Sequence, residues 1–253
     1  MRVEKYSDKA VKNILQHNAR ELPDMHNTDR ANIKKSYCDT TKSHLNIDLT
    51  SPRTTTAVLK KGKFYLRPIS NYEYYRKRLS ELHQFKRKGA NTLNTLCEWV
   101  LQMPSEVKAA PEELQRAFWS ETHVFLCDRY QEINCISSTI HRDETLDHLH
   151  WCFIPAVPNP KGTGGKAEKV SAKETIGGIA ELKEFYKSWQ TWLDNAGIKC
   201  RVTTGKTKRE GKRSLPTAEY KKMKELEREV ERLKLNDRSR EQKGVFINHD
   251  RDL

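Results

Sequence analysis

The sequence predicts an α+β protein, and three observations carry that expectation. Residues 134–141 alternate in strand fashion, with Ile136, Ser138 and Ile140 on one side and Cys135, Ser137 and Thr139 on the other. A polar turn at 142–147 leads into His148-Leu149-His150-Trp151, a second alternating run, so the two read as an antiparallel hairpin. Elsewhere, helical periodicities and further strand-like runs succeed one another along the chain.

In chain order, residues 2–6 read as a short first strand. Asp8 would cap a helix with Ala10, Val11, Ile14 and Leu15 on one face. That helix runs into His17-Asn18-Ala19-Arg20 and is stopped by Pro23. Residues 24–42 are polar and read as a loop. Residues 43–50 alternate cleanly: Leu45, Ile47 and Leu49 should face the core, while His44, Asn46, Asp48 and Thr50 face away. Taken alone, that second set favours a solvated face over a site.

Residues 69–88 look helical, with Arg76, Lys77, Arg78, Lys86, Arg87 and Lys88 giving a basic end. Residues 92–103 form a mostly apolar strand candidate, and Pro104 and Pro111 bracket a linker. Pro111 suits the first turn of a helix running to about Tyr130, with Glu112 and Glu113 at its positive end. The histidine hairpin follows and ends near Ile154. Prolines and glycines mark 155–168 as a flexible loop beside it, either a flap or, by default, an exposed connection. Residues 174–195 read as one helix with Ile179, Leu182, Phe185, Trp189 and Leu193 inward, ended by Gly197. Residues 198–203 read as a short strand. The basic stretch 199–213, which includes Lys206, Lys208 and Arg209, is equally well a phosphate-contacting loop or a solvated one. Residues 217–235 form a last helix with Met223, Leu226, Val230 and Leu233 at coiled-coil spacing. It is too short to stand alone, so it docks on the body or starts a homodimer contact. The polar residues 236–253 read as a disordered tail. The expected division is a catalytic domain over 1–215 and a charged helix and tail over 216–253.

Composition narrows the function. The chain has 253 residues and a net charge of +13, which calls for a polyanionic partner. Only 36% of residues are hydrophobic, as in a globular body with polar extensions. The six cysteines make no C-x-x-C pair and read as reduced thiols of a cytoplasmic protein. No segment has the apolar length of a membrane span or of a signal sequence.

The chemistry concentrates in His141-Arg142-Asp143-Glu144-Thr145-Leu146-Asp147-His148-Leu149-His150. His148 and His150 share one strand face, and the hairpin would bring His141 beside them. Three neutral imidazoles can hold a divalent cation and leave positions open, the mark of a catalytic rather than a structural metal. Nitrogen donors favour Mn2+ over oxygen-loving Mg2+, with other divalent ions open.

At these residues the chain resembles the plasmid mobilisation relaxases of the Mob/Pre (MobV) type. His17-Asn18-Ala19-Arg20 is similar to the family's H-N-x-R motif. Residues 43–50, Ser-His-Leu-Asn-Ile-Asp-Leu-Thr, are similar to its S-H-L-N motif, and the hairpin resembles its H-x-D-E-x-x-P-H-x-H motif. Asp147 stands where that family usually has proline. The resemblance covers about residues 1–222. It implies a histidine-hydrophobic-histidine (HUH) endonuclease fold, an antiparallel sheet with helices packed on it and the histidines on a central strand. It also implies nicking of one DNA strand at an origin of transfer, with a covalent protein–DNA intermediate. The DNA would be a single-stranded nick region with adjacent duplex or hairpin. By resemblance His141, His148 and His150 hold the metal and His17 is the nucleophile, with Tyr6 as the other nucleophile considered. Glu144 would orient His17 or accept its proton, and Arg20 would steady phosphate charge. Asp143, Asn46 and Asp48 would support the metal ligands, and Arg87, Lys88, Lys206, Lys208 and Arg209 would contact DNA. Two other classes stay open: a rolling-circle replication initiator or hydrolytic nuclease on a related fold, and a non-enzymatic DNA-binding protein with a structural metal.

Overall fold

The structure, a computed structural model, describes residues 2–21, 39–53, 58–60, 63–65, 67–85, 92–144 and 146–202, with Leu226, Glu229 and Arg232. The chain divides into two compact units, Met1–Thr204 and Gly205–Leu253. In the first unit the order is β1 (Arg2–Ser7), α1 (Asp8–Asn18), a 3-10 turn (Thr40–Leu45), β2 (Ile47–Asp48), β3 (Val58–Lys60), β4 (Lys63–Tyr65), α2 (Asn71–Ser80) and β5 (Asn94–Gln102). Then come α3 (Ser105–Lys108), α4 (Glu112–Tyr130), β6 (Cys135–His141), β7 (His148–Phe153), β8 (Ala156–Pro158), β9 (Glu168–Val170), α5 (Ala172–Ile176) and α6 (Ile179–Asn195).

Five strands form one antiparallel sheet in the order β1-β5-β7-β6-β2. The hairpin therefore supplies the central strand, β7, and its neighbour β6. Strand alternation gives each face its own apolar layer. Trp99, Leu101, Leu149, Trp151 and Phe153 pack against Phe118, Trp119 and Phe125 of α4 and Phe185, Trp189 and Leu193 of α6. Trp99 and Phe185 stack at 3.9 Å. On the other face Leu96, Ile136 and Cys152 pack against Val11 and Leu15 of α1 and Tyr75 and Leu79 of α2. Each large side chain so buried contributes roughly 1.5–3 kcal/mol. The result is helices on both faces of an antiparallel sheet, as the sequence leads one to expect. The histidine face is the one that carries α1.

Several elements depart from the sequence reading. Ser7, not Asp8, occupies the N-cap position of α1; the Asp8 carboxylate instead accepts from Tyr75 and Arg76. The helix ends at Asn18, well before Pro23. Residues 43–45 belong to a 3-10 turn rather than a strand, because the Asp39 side chain accepts from the Thr41 N–H and caps it. Leu45 is consequently exposed, and only Ile47 and Leu49 of the expected inward set pack on the core. The helix read over 69–88 is helical at Asn71–Ser80.

The expected helix over 174–195 is broken at Gly177 (φ 70), and Glu181 accepts from the Gly178 N–H to start α6. Ile179, expected inward, is exposed. Gly197 (φ 74) ends α6, with the Ile198 N–H reaching the Leu193 carbonyl. Residues 198–202 form no strand; the Gln190 side chain binds their backbone instead, donating to Cys200 O and accepting from Val202 N. The proline- and glycine-rich segment contains the β8–β9 ribbon, paired at His83 with the end of α2. It leaves the end of β7 opposite the hairpin turn. The readings for 24–38, 86–88 and 203–253 lie outside the described residues, apart from helical placement at Leu226, Glu229 and Arg232.

Candidate metal centre

In the hairpin register His141 lies directly opposite His148. His150 follows two residues on, so all three imidazoles share the face that carries α1. Ring centroids are 4.4 Å apart for His141 and His150, 4.7 Å for His148 and His150, and 5.4 Å for His141 and His148. One nitrogen from each lies within 4.8 Å of the other two.

The hydrogen bonds set the tautomers. A carbonyl or carboxylate only accepts, so the ring nitrogen facing it carries the hydrogen. His148 Nδ1 donates to Leu146 O (2.7 Å), and His150 Nδ1 donates to Glu98 Oε1 (2.7 Å). Their Nε2 lone pairs are thereby left for a ligand. His141 is reversed: Nε2 donates to Asn18 O (2.9 Å), and the Nδ1 lone pair accepts from Arg20 Nη2 (3.2 Å). Burial pushes the His141 pKa down to about 3, helped by the nearness of His150 and by the Arg20 charge. Burial and His150 also lower His148. Three rings with one N–H each engaged by protein, two of them held neutral, make a donor set that fits a borderline divalent cation. Glu144 lies 3.8 Å from His141 Nδ1 and 3.9 Å from His148 Nε2.

The other motifs meet the hairpin at Asp143, which is 1% exposed. Its Oδ2 accepts from Arg20 Nε (2.9 Å), Ser43 Oγ (2.8 Å) and Asn46 Nδ2 (2.9 Å), and its Oδ1 accepts from Arg20 Nη2 (2.7 Å). Asn46 Oδ1 accepts in turn from the Arg142 N–H at 2.7 Å. Arg20 also reaches Glu144 Oε1 at 3.0 Å. The guanidinium is thus engaged by two carboxylates, and Asp143 joins the motifs while its carboxylate, like that of Glu144, lies within 4.8 Å of a His141 nitrogen. Asn46 serves the same junction. Asp48 does not: it is exposed, and its carboxylate accepts from the Thr50 N–H in its own turn.

His17 sits in the last turn of α1, one residue from the Asn18 carbonyl that His141 binds. The residue is exposed, yet desolvation, the Arg20 charge and the nearness of His150 lower its pKa, against the pull of Glu144 and Glu98. A neutral imidazole results. Tyr6 is differently placed. Its hydroxyl lies 2.7 Å from both Glu4 and Glu98, and burial and the Glu98 charge push its pKa far up, away from an attacking phenolate. Arg87, Lys88, Lys206, Lys208 and Arg209 lie outside the described residues.

Sequence reasoning missed Glu98. It is 3% exposed on β5 and binds His150, Asn18 and Tyr6. Burial acts to raise its pKa, but His150 and the donors from Tyr6 and Asn18 prevail and hold it at about 2. Its signal was a lone acid within the apolar run Leu96-Cys97-Glu98-Trp99-Val100-Leu101.

Fold and histidine cluster together define a relaxase-type domain. The MobM relaxase domain (MOBV; Mob_Pre), in a Mn-bound crystal structure with plasmid pMV158 oriT DNA at pH 6.8, superposes with a TM-score of 0.61. The match is 18% identical and covers 88% of this chain and 96% of that one. A Mn-bound MobM complex at pH 5.5 gives 0.60 at 17% identity, over 88% and 97% of the two chains. At such identities the likeness establishes the fold. This chain belongs to the Mob_Pre family, plasmid recombination enzyme, which it matches over residues 1–222. Plasmid recombination enzyme type 1 of Staphylococcus aureus is 27% identical over 103 residues, 40% of this chain and 23% of that relative. The matched stretch thus spans about a quarter of the relative's length.

Proposed function

We propose that this chain nicks one DNA strand at a plasmid origin of transfer by transesterification onto His17, forming a covalent protein–DNA intermediate for mobilisation. The observation that supports the reading is the His141–Asn18 hydrogen bond, which ties the residue next to His17 to the histidine cluster. The oriT DNA and manganese of the MobM complexes support the same substrate class and cation, as does the net charge of +13.

His141, His148 and His150 would hold a divalent ion, Mn2+ in preference to Mg2+. When bound, it would polarise an oxygen of the scissile phosphate. The neutral His17 ring supplies the attacking nitrogen. Its lone pair forms the N–P bond as the P–O3′ bond breaks, and the departing 3′ oxygen takes up a proton. Glu144 orients the His17 ring and accepts the proton that its other nitrogen sheds. The phosphoramidate stays reactive, so a 3′-hydroxyl can attack it later and reseal the strand. Arg20 acts through Asp143 and Glu144, holding the helix end and the hairpin tip in register. Its interaction with phosphate would be secondary.

Contacts along the DNA are assigned to Arg87, Lys88, Lys206, Lys208 and Arg209, within a catalytic domain of residues 1–215. The helix and tail of 216–253 would add a homodimer contact. The activity is assigned to the cytoplasm; among the described residues no helix is long and apolar enough to cross a membrane.

The test is mass spectrometry of the residue left on a suicide oligonucleotide spanning the nick mapped on supercoiled plasmid. The adduct should sit on His17, and His17→Ala should bind DNA but form none. An adduct on Tyr6, or full nicking by His17→Ala, would overturn the mechanism and favour an initiator-type enzyme.

A further inference from the structure

Asn18 takes no part in the chemistry above, yet it is 2% exposed at the end of α1. It binds in two directions. Its carbonyl accepts from His141 Nε2 (2.9 Å), and its side-chain amide donates to Glu98 Oε1 (2.6 Å) and reaches Cys152 Sγ (3.4 Å). The same Glu98 oxygen accepts from His150 Nδ1 at 2.7 Å, while Oε2 accepts from the Tyr6 hydroxyl at 2.7 Å. The residue next to His17 therefore grips two of the three imidazoles, one directly and one through a buried carboxylate.

A carboxylate inside an apolar strand is costly unless its oxygens are satisfied. Here the donors come from α1, β1 and β7, so the acid is satisfied only when the helix end and the histidine strand are both in place. Its bond to His150 Nδ1 also keeps the lone pair on Nε2, the nitrogen a cation would use. Movement of either histidine is felt at Asn18, and thus at the adjoining residue 17.

We propose that Asn18 and Glu98 are positioning residues that make the seat of the cation and the placement of His17 a single mechanical unit. Filling the cation site then stiffens the end of α1, and loosening the joint uncouples the two. The inference rests on the histidine reading above and deepens it.

The experiment needs no DNA. Mn2+ affinity is measured by electron paramagnetic resonance of the free ion. Amide exchange of a peptide covering residues 15–21 is followed by mass spectrometry with and without Mn2+. Wild-type protein should show slower exchange there when Mn2+ is bound. Glu98→Ala should weaken Mn2+ by about 10–100-fold, and Glu98→Gln, whose amide oxygen can still accept from His150, should recover most of that loss. Asn18→Ala, which cuts the amide link to Glu98 and keeps the backbone carbonyl on His141, should keep Mn2+ affinity within about tenfold yet lose part of the Mn2+-dependent protection. If Asn18→Ala does not fold, the two Glu98 variants decide alone. Unchanged affinity in Glu98→Ala, no rescue in Glu98→Gln, or protection equal to the wild type's in a folded Asn18→Ala would overturn the joint. Failure of the wild-type protein to bind Mn2+ would instead remove the metal reading beneath it.

Discussion

Arg20 meets Asp143 through a two-pronged pair, Nε to Oδ2 at 2.9 Å and Nη2 to Oδ1 at 2.7 Å. The pair closes on a strained backbone. Arg20 has φ 56, and the Arg20 and Glu21 N–H groups return to His17 O and Gln16 O. That is the helix-ending pattern in which glycine is usual, as Gly197 is at the end of α6. An arginine there sacrifices local comfort for a link between residues 123 apart in sequence.

Arg20→Gly separates the two effects. Glycine relieves about 1 kcal/mol of left-handed strain. Removing the guanidinium deprives the buried Asp143 of a charged partner, a loss of about 3 kcal/mol. Urea denaturation should show a net destabilisation of about 2 kcal/mol. A variant as stable as the parent would mean that the pair contributes no more than the strain.

Chelation tests the cation. Stripping the protein with EDTA should abolish nicking of supercoiled plasmid, and Mn2+ should restore it more fully than Mg2+. His148→Ala, which removes one Nε2 donor, should weaken Mn2+ binding by about tenfold or more. Nicking that survives exhaustive chelation would exclude a metal-dependent reaction.

Thiol labelling gives a pH test away from the histidines. Contact with Cys135 and with His123 Nε2, at 3.5 Å, lowers the Cys127 pKa to about 5, whereas burial raises Cys97 to about 12 and Cys200 to about 11. Among the described cysteines the thiolate is thus favoured at Cys127, while burial keeps Cys97 and Cys200 protonated at neutral pH. Brief iodoacetamide treatment should label Cys127 first among the described cysteines, at a rate nearly flat over about pH 6–8. A rate climbing about tenfold per pH unit would show an ordinary thiol.

The break between α5 and α6 is open to a single substitution. Gly177 has φ +70, and a Cβ there would collide with the Glu181 side chain that starts α6. Gly177→Ala should cost about 1–3 kcal/mol and lower Tm. An unchanged melting temperature would show that the turn can be made without a left-handed residue.

The hairpin was legible in the sequence because alternation and a polar turn suffice to place His141, His148 and His150 on one face. His17 and Arg20 were reachable only through motif resemblance, since nothing local says that a helix end at residue 18 meets a turn at residue 143. Asp48 and Asn46 looked alike by alternation, but the 3-10 turn before them sends only Asn46 to Asp143. Glu98 escaped notice because its partners lie on β1, α1 and β7, three segments whose proximity is a property of the sheet order. The apolar spacing that continues past residue 176 hid the Gly177-Gly178 break.

The strand order has a consequence for biosynthesis. β5 and β6 never pair with each other; β7 lies between them and is the last of the five to leave the ribosome. Before then the strands of this sheet can pair only as two separate ribbons, β1 with β5 and β2 with β6, each marginal by itself. Inserting the final strand welds the ribbons together and delivers two of the three imidazoles in the same event. Completion of the sheet and assembly of the histidine cluster are therefore one event.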